Sequence, residues 1–294
     1  MIFYAINVVA NCDEQVSGWL FDWDDNIMFM PTKVILYDKY SDETLKISTH
    51  EFALNGQFIG AEGKYKNYEL RKTDKENSFK YFRDDQNGEN NYFLNDIKST
   101  VNSSDNNWKG PVWDEFIYAL NNKKSADWTV ILTARGHSAE SIYNGLKYLQ
   151  QEGVIKYLPK LNNIYAVSHE KYDYYKASTS VKKVKIMAEI LDKIEQCQFV
   201  KSDITNVIDQ DGNYERPLNV WGFSDDDIKN IIAARDYLST EVANGRWSNI
   251  KISLLFTGNS DNNKIPYTSI IKSDGTSRLP TFSELLDKYR LSKN

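Results

Sequence analysis

The chain has 294 residues and 41% hydrophobic content, enough for one large α/β domain or a core domain with a cap. Its 36 basic and 41 acidic residues, with no long single-sign run, argue against long nucleic acid as a partner. Two distant cysteines, Cys12 and Cys197, exclude a disulfide scaffold and a thiolate zinc site, and no apolar run is long enough to span a membrane.

Residues 2–9 alternate loosely and read as a first strand. They lack the basic start and small-residue cleavage site of a signal peptide, so a cytoplasmic protein is expected. Next, Trp19-Leu20-Phe21 reads as a short buried strand that runs into Asp22-Trp23-Asp24-Asp25-Asn26-Ile27. Strand side chains alternate, so Asp22 and Asp24, spaced i and i+2, point the same way. Two like charges that close need a cation or a proton between them.

Residues 33–37 and 44–48 predict a β-hairpin with a polar loop. From Thr49 to Gly110 the pattern weakens into Asn, Asp, Lys and Tyr, with amphipathic pieces at Ser78 to Arg83 and Tyr92 to Val101. A structureless loop of this length is unusual in a compact domain, so 34–110 reads as an inserted, partly helical cap.

Order returns at Gly110. Pro111 suits a first helical turn, and Val112, Phe116, Ile117 and Leu120 recur at helical spacing. Trp128 to Leu132 is the continuous apolar run of a buried parallel strand, ending in Thr133-Ala134-Arg135-Gly136. Ser138 is placed to cap a helix with Ile142, Leu146 and Leu149 on one face. A strand follows at Asn163 to Val167, then a tyrosine-rich loop from Glu170 to Ala177. A helix striped by Val184, Met187, Ile190, Leu191 and Ile194 comes next, with Lys182 and Lys183 at its start. Asn219 to Phe223 is strand-like and delivers Ser224-Asp225-Asp226-Asp227. A helix from Ile228, a strand at Ile250 to Phe256 and a last helix at Thr281 to Tyr289 complete the chain. Strand–helix alternation from 112 to 256 predicts an α/β fold, a Rossmann-like parallel sheet with helices on both faces. Its ligands bind beyond the carboxyl ends of the strands, where Asp22, Asp24, Thr133, Asp225 and Asp226 all fall.

Each of these groups alone is a common turn acid, strand-end hydroxyl or helix cap. Their order is the informative part. An apolar strand then Asp22-x-Asp24, an apolar strand then Thr133, a lysine at a helix start, and an apolar strand then Asp225-Asp226 resembles the haloacid dehalogenase (HAD) superfamily. The resemblance covers about 17–33 and 111–258. It implies a core of 1–33 and 111–258, a cap at 34–110 and an extension at 259–294.

The resemblance also implies a Mg²⁺-dependent phosphatase acting on a phosphorylated substrate. A small phosphomonoester, nucleotide or nucleic-acid end comes first, and a phosphotyrosine protein next. Asp22 would be the nucleophile and Asp24 the proton shuttle. Thr133, Ala134, Arg135 and Lys183 would bind the phosphoryl group. Asp22, Asp225 and the backbone carbonyl of Asp24 would hold Mg²⁺, with Asp226 a further candidate ligand and Asn230 an outlying polar partner. Lys183 fits better than Lys182, because Val184, Met187 and Ile190 follow it at +1, +4 and +7 on the buried face. Arg135 is placed to reach a second anionic group of the substrate, and His137 to line the mouth of the site. Asp25 and Asn26 depart from the family, which commonly has glycine and threonine or valine there. A noncatalytic phosphate- or metal-binding module and a mutase are the rival readings.

Overall fold

The computed structural model describes residues 16–73, 76–104, 107–196, 207–208, 214–215, 219–247, 250–258 and 267–271. The expected strand at 2–9, both cysteines, the helix at 281–289 and most of the 259–294 extension lie outside the described residues.

The described residues begin with β1 (Ser17–Phe21), β2 (Lys33–Asp38), β3 (Thr44–Ser48), α1 (Thr49–Asn55), β4 (Tyr68–Glu69) and α2 (Tyr92–Val101). Then come α3 (Trp113–Asn121), α4 (Lys123–Trp128), β5 (Thr129–Thr133), α5 (Ala139–Gln151), β6 (Ile164–Ala166) and α6 (Thr179–Gln196). The last elements are β7 (Val207–Ile208), β8 (Tyr214–Glu215), β9 (Asn219–Asp225), α7 (Ile228–Ala243), β10 (Ile250–Phe256) and β11 (Tyr267–Ile271).

Six strands form the main sheet in the order β11-β10-β9-β1-β5-β6. Five run parallel, and β11 closes one edge antiparallel to β10. The expected α/β architecture with a parallel sheet is therefore present. Alternation along the strands sorts the core into two layers. Leu20, Val130, Leu132, Phe223 and Ile252 pack with Met187 and Leu191 of α6 and Ala234 and Leu238 of α7. Phe21, Ile131 and Ala166 pack on the other face with Phe116 of α3, Leu146 of α5 and Phe93 of α2.

From β1 the sheet grows one way through β5 and β6 and the other way through β9 and β10. The strand order thus reverses beside β1, which is where parallel α/β sheets open a crevice for ligands. Asp22 follows β1 and Asp225 ends β9 on the two sides of that crevice.

The described residues between β1 and α3 carry their own elements. β3-β2-β4 form a small antiparallel sheet with its own core of Val34, Leu36, Ile47 and Tyr65. The expected hairpin is its β2–β3 pair. α2 instead buries Phe93 and Ile97 in the main core against α5. A Cβ on Gly145 of α5 would lie 2.6 Å from the Phe93 ring, so glycine permits this close packing. No helix among the described residues is long and apolar enough to cross a membrane.

Candidate active site

The strand ladder carries Asp22 into place. Its N–H donates to the Ser224 carbonyl at 3.0 Å, one residue past the end of β1. The chain then turns sharply: the Ile27 and Met28 N–H groups both donate to the Trp23 carbonyl, at 3.0 and 3.2 Å. Asp25 takes the left-handed conformation, φ 55°, at the position where glycine is common in the family it resembles. Asp25 is buried, and burial pushes its carboxyl up to about 6 against a hydrogen bond from Thr49 of α1. Asp25 is thus a buried turn residue.

Asn26, the second departure, is a fastener. Its Nδ2 donates to the Asp22 carbonyl (3.0 Å), the Ser224 carbonyl (3.3 Å) and Ser224 Oγ (2.9 Å). Its Oδ1 accepts from Thr257 Oγ1 at 2.7 Å. One buried amide therefore joins the ends of β1, β9 and β10. Behind it, a Cβ on Gly110 would lie 2.3 Å from the Asn26 carbonyl, so only glycine fits there.

Lys183 sits in the first turns of α6 with 1% of its side chain exposed. Its Nζ donates to Asp22 Oδ1 and to Asp225 Oδ2, both at 2.7 Å. Burial alone would push the ammonium down, but the two carboxylates outweigh it and hold Lys183 above its ordinary range. Lys182 points elsewhere, to Asp173 Oδ1 at 3.0 Å. Asn230 Nδ2 donates to both oxygens of Asp225 at 3.0 Å, and the Asp227 N–H donates to Asp225 Oδ1 at 2.9 Å. Asp227 also caps α7 by accepting from the Lys229 N–H.

Asp22, Asp225 and Asp226 form a buried acidic group able to hold a metal ion, with one oxygen of each within 4.8 Å of the others. Burial pushes all three carboxyls up, and Lys183 opposes this at Asp22 and Asp225. Hard oxygen donors this close suit a divalent cation such as Mg²⁺ or Ca²⁺.

Thr133 ends β5 and is buried, and its Oγ1 accepts from the Arg135 N–H at 3.2 Å. Ala134 between them is exposed. Arg135, expected to face the substrate, faces Asp24 instead. Its Nε and Nη2 grip Asp24 Oδ2 and Oδ1 at 2.8 and 2.6 Å. The expected acids therefore divide: Asp22, Asp225 and Asp226 share one cluster, and the Asp24 carboxylate belongs to a second network.

His137, for which a place at the mouth was the minority reading, is fully buried against the Phe93 ring, with centroids 5.8 Å apart. Neither ring nitrogen has a hydrogen-bond partner among the described residues. Burial and then the neighbouring Arg135 push its imidazole down from 6.5 to about 3. The unfolded chain therefore takes up a proton below about pH 6.5 that the folded chain refuses, and stability falls with pH through that window. One proton corresponds to about 1.4 kcal/mol per pH unit, or about 2 kcal/mol between pH 6.5 and 5. His137→Phe is expected to remove that part of the acid loss; urea unfolding at both pH values measures it, and an unchanged slope sinks the assignment.

Thr32, Asp96, Ser224 and Thr257 were not singled out by the sequence reading. Each is an ordinary polar residue made important by a partner far along the chain. No family model, curated protein or solved structure matches this chain.

Proposed function

We propose that this chain is a Mg²⁺-dependent phosphatase of the haloacid dehalogenase type, hydrolysing a phosphomonoester through an aspartyl-phosphate on Asp22. The observation that carries this reading is the Lys183 ammonium bridging Asp22 and Asp225 at 2.7 Å each, beside Asp226, at the strand-order reversal. A carboxylate, a buried ammonium and an acid group able to hold a metal ion share one crevice, which supports the reading.

Asp22, Asp225 and Asp226 would hold Mg²⁺, which screens carboxylate from phosphate and polarises the phosphoryl group. In the first step a carboxylate oxygen of Asp22 bonds to phosphorus as the bond from phosphorus to the ester oxygen breaks. Asp24 would enter that step protonated and give its proton to the departing oxygen, then take one back from the water that attacks phosphorus, which releases phosphate and restores both Asp22 and the protonated Asp24. In this reading Thr133 Oγ1 and the Ala134 backbone would hold phosphoryl oxygens. Lys183 neutralises charge on the transferred group and orients Asp22.

The test is turnover of a generic aryl phosphate by the full chain. Hydrolysis in Mg²⁺ that EDTA stops and added Mg²⁺ restores is the expected result. Metal binding without hydrolysis of any ester in a phosphometabolite, oligonucleotide and phosphopeptide panel would leave the noncatalytic module as the better reading.

A further inference from the structure

The second network has no part in the reading above beyond Asp24, yet it is built more tightly than an incidental ion pair. Arg135 is fully buried, 0% exposed, and grips both oxygens of Asp24. Its Nη2 also donates to Thr32 Oγ1 at 2.7 Å, and the Thr32 hydroxyl donates in turn to Asp96 of α2. The Phe82 and Phe93 rings lie 5.0 and 5.2 Å from the guanidinium carbon. The strand-end loop is clamped as well. The Gly136 N–H donates to the Phe82 carbonyl and the Ser138 N–H to Asp84 Oδ2, both at 2.8 Å. Asp24 keeps 16% of its side chain exposed while its partner is sealed.

A buried ion pair is weak grounds for a stabilising role, because apolar residues of like size often serve stability as well. What a planar two-point fork does supply is orientation, which a single ammonium cannot. We propose that Arg135 is a positioning residue for Asp24, and that Asp96, through Thr32, fixes Arg135 in turn. The segment 34–110, which contributes Asp96, Phe82 and Phe93, then shares in placing the proton-transferring carboxylate. This rests on the phosphatase reading, in which Asp24 moves the protons.

A double-mutant cycle on the full chain tests it, with an aryl phosphate and saturating Mg²⁺. Arg135→Lys keeps the charge and loses the fork. It is expected to lower kcat about 100-fold, the scale of a misplaced or lost proton-transfer group, with KM changed by less than about threefold. In an Asp24→Asn background the same substitution is expected to cost less than about twofold, because there is no longer a proton shuttle to place. Asp96→Asn keeps an oxygen acceptor for Thr32. It is expected to give a smaller loss of kcat that also vanishes in the Asp24→Asn background, and it carries the test if Arg135→Lys fails to fold by near-UV circular dichroism. A raised KM with kcat intact would make Arg135 a substrate-binding residue and overturn the proposal. Losses that simply add would reduce the network to structural support and overturn it too. Wild-type protein that hydrolyses no ester overturns the phosphatase reading, and this assignment falls with it.

Discussion

Asp22→Asn is expected to abolish turnover, by a factor on the order of 10⁵ or more, in a protein that stays folded. The amide is nearly isosteric, and its oxygen can still accept from Lys183, which now lies 2.7 Å from Asp22 Oδ1. It has no negative charge with which to attack phosphorus and forms no aspartyl-phosphate. The stability of the variant tests the same assignment from a second side. Burial pushes the Asp22 carboxyl up, with Lys183 opposing and Asp225 adding to the rise. An acid raised in the folded state holds its proton at pH values where the unfolded chain has lost it. Metal-free stability from this group is therefore fully present below the unfolded value of 3.8 and is lost as pH rises toward the folded value of about 8. Asparagine has no such slope, so in EDTA the variant is expected to match or exceed the wild type at neutral pH in urea unfolding. An unaffected rate of ester hydrolysis would sink the nucleophile assignment. A variant that is inactive only because it is unfolded would show in the same urea curves.

The central architecture was legible because the signals were local. Apolar runs of β-branched and aromatic residues ending in a polar group mark β1, β5 and β9. The buried stripe on α6 favoured Lys183 but left Lys182 in competition; only the contacts tell them apart, Lys183 meeting Asp22 and Asp225 and Lys182 meeting Asp173. Alternation along β1 also put Leu20 and Phe21 on opposite layers of the core. What stayed hidden were partners set by tertiary approach alone. Arg135 and Asp24 are 111 residues apart, and Asn26 and Thr257 are 231 apart. No spacing rule links such pairs. Equal i, i+2 placement suggested one shared environment for Asp22 and Asp24, whereas their hydrogen-bond partners differ: Lys183 for Asp22 and Arg135 for Asp24. α4 was missed because only six residues, capped by Asn122, lead into β5. The segment at 34–110 was blurred because its sheet strands are short and its core small.

Lys183→Met is expected to unfold the metal-free protein more easily by roughly 3–5 kcal/mol, the usual cost of stripping one partner from a buried charge pair. The lysine is the cation that bridges Asp22 and Asp225, and Asp226 lies in the same acidic group. Methionine fills similar space but leaves these carboxylates, two of them buried, beside one another with no cation between them. A divalent ion held by the same group supplies the missing positive charge. Millimolar Mg²⁺ is therefore expected to recover about 2.7 kcal/mol when it stands a hundredfold above its dissociation constant. Turnover is not recovered with it. Removing a fixed donor aimed at developing phosphoryl charge is expected to cost about 10²–10³ in kcat even in saturating Mg²⁺. Lys182→Met is the matched control, since Lys182 pairs with Asp173, whose side chain is 71% exposed, and such pairs contribute little. Urea unfolding of both variants, in EDTA and in Mg²⁺, separates the possibilities. If Lys183→Met is as stable as wild type in EDTA, the ammonium does not hold the acidic group together. If Mg²⁺ stabilises neither wild type nor variant, the three carboxylates do not bind the ion and the catalytic reading loses its metal.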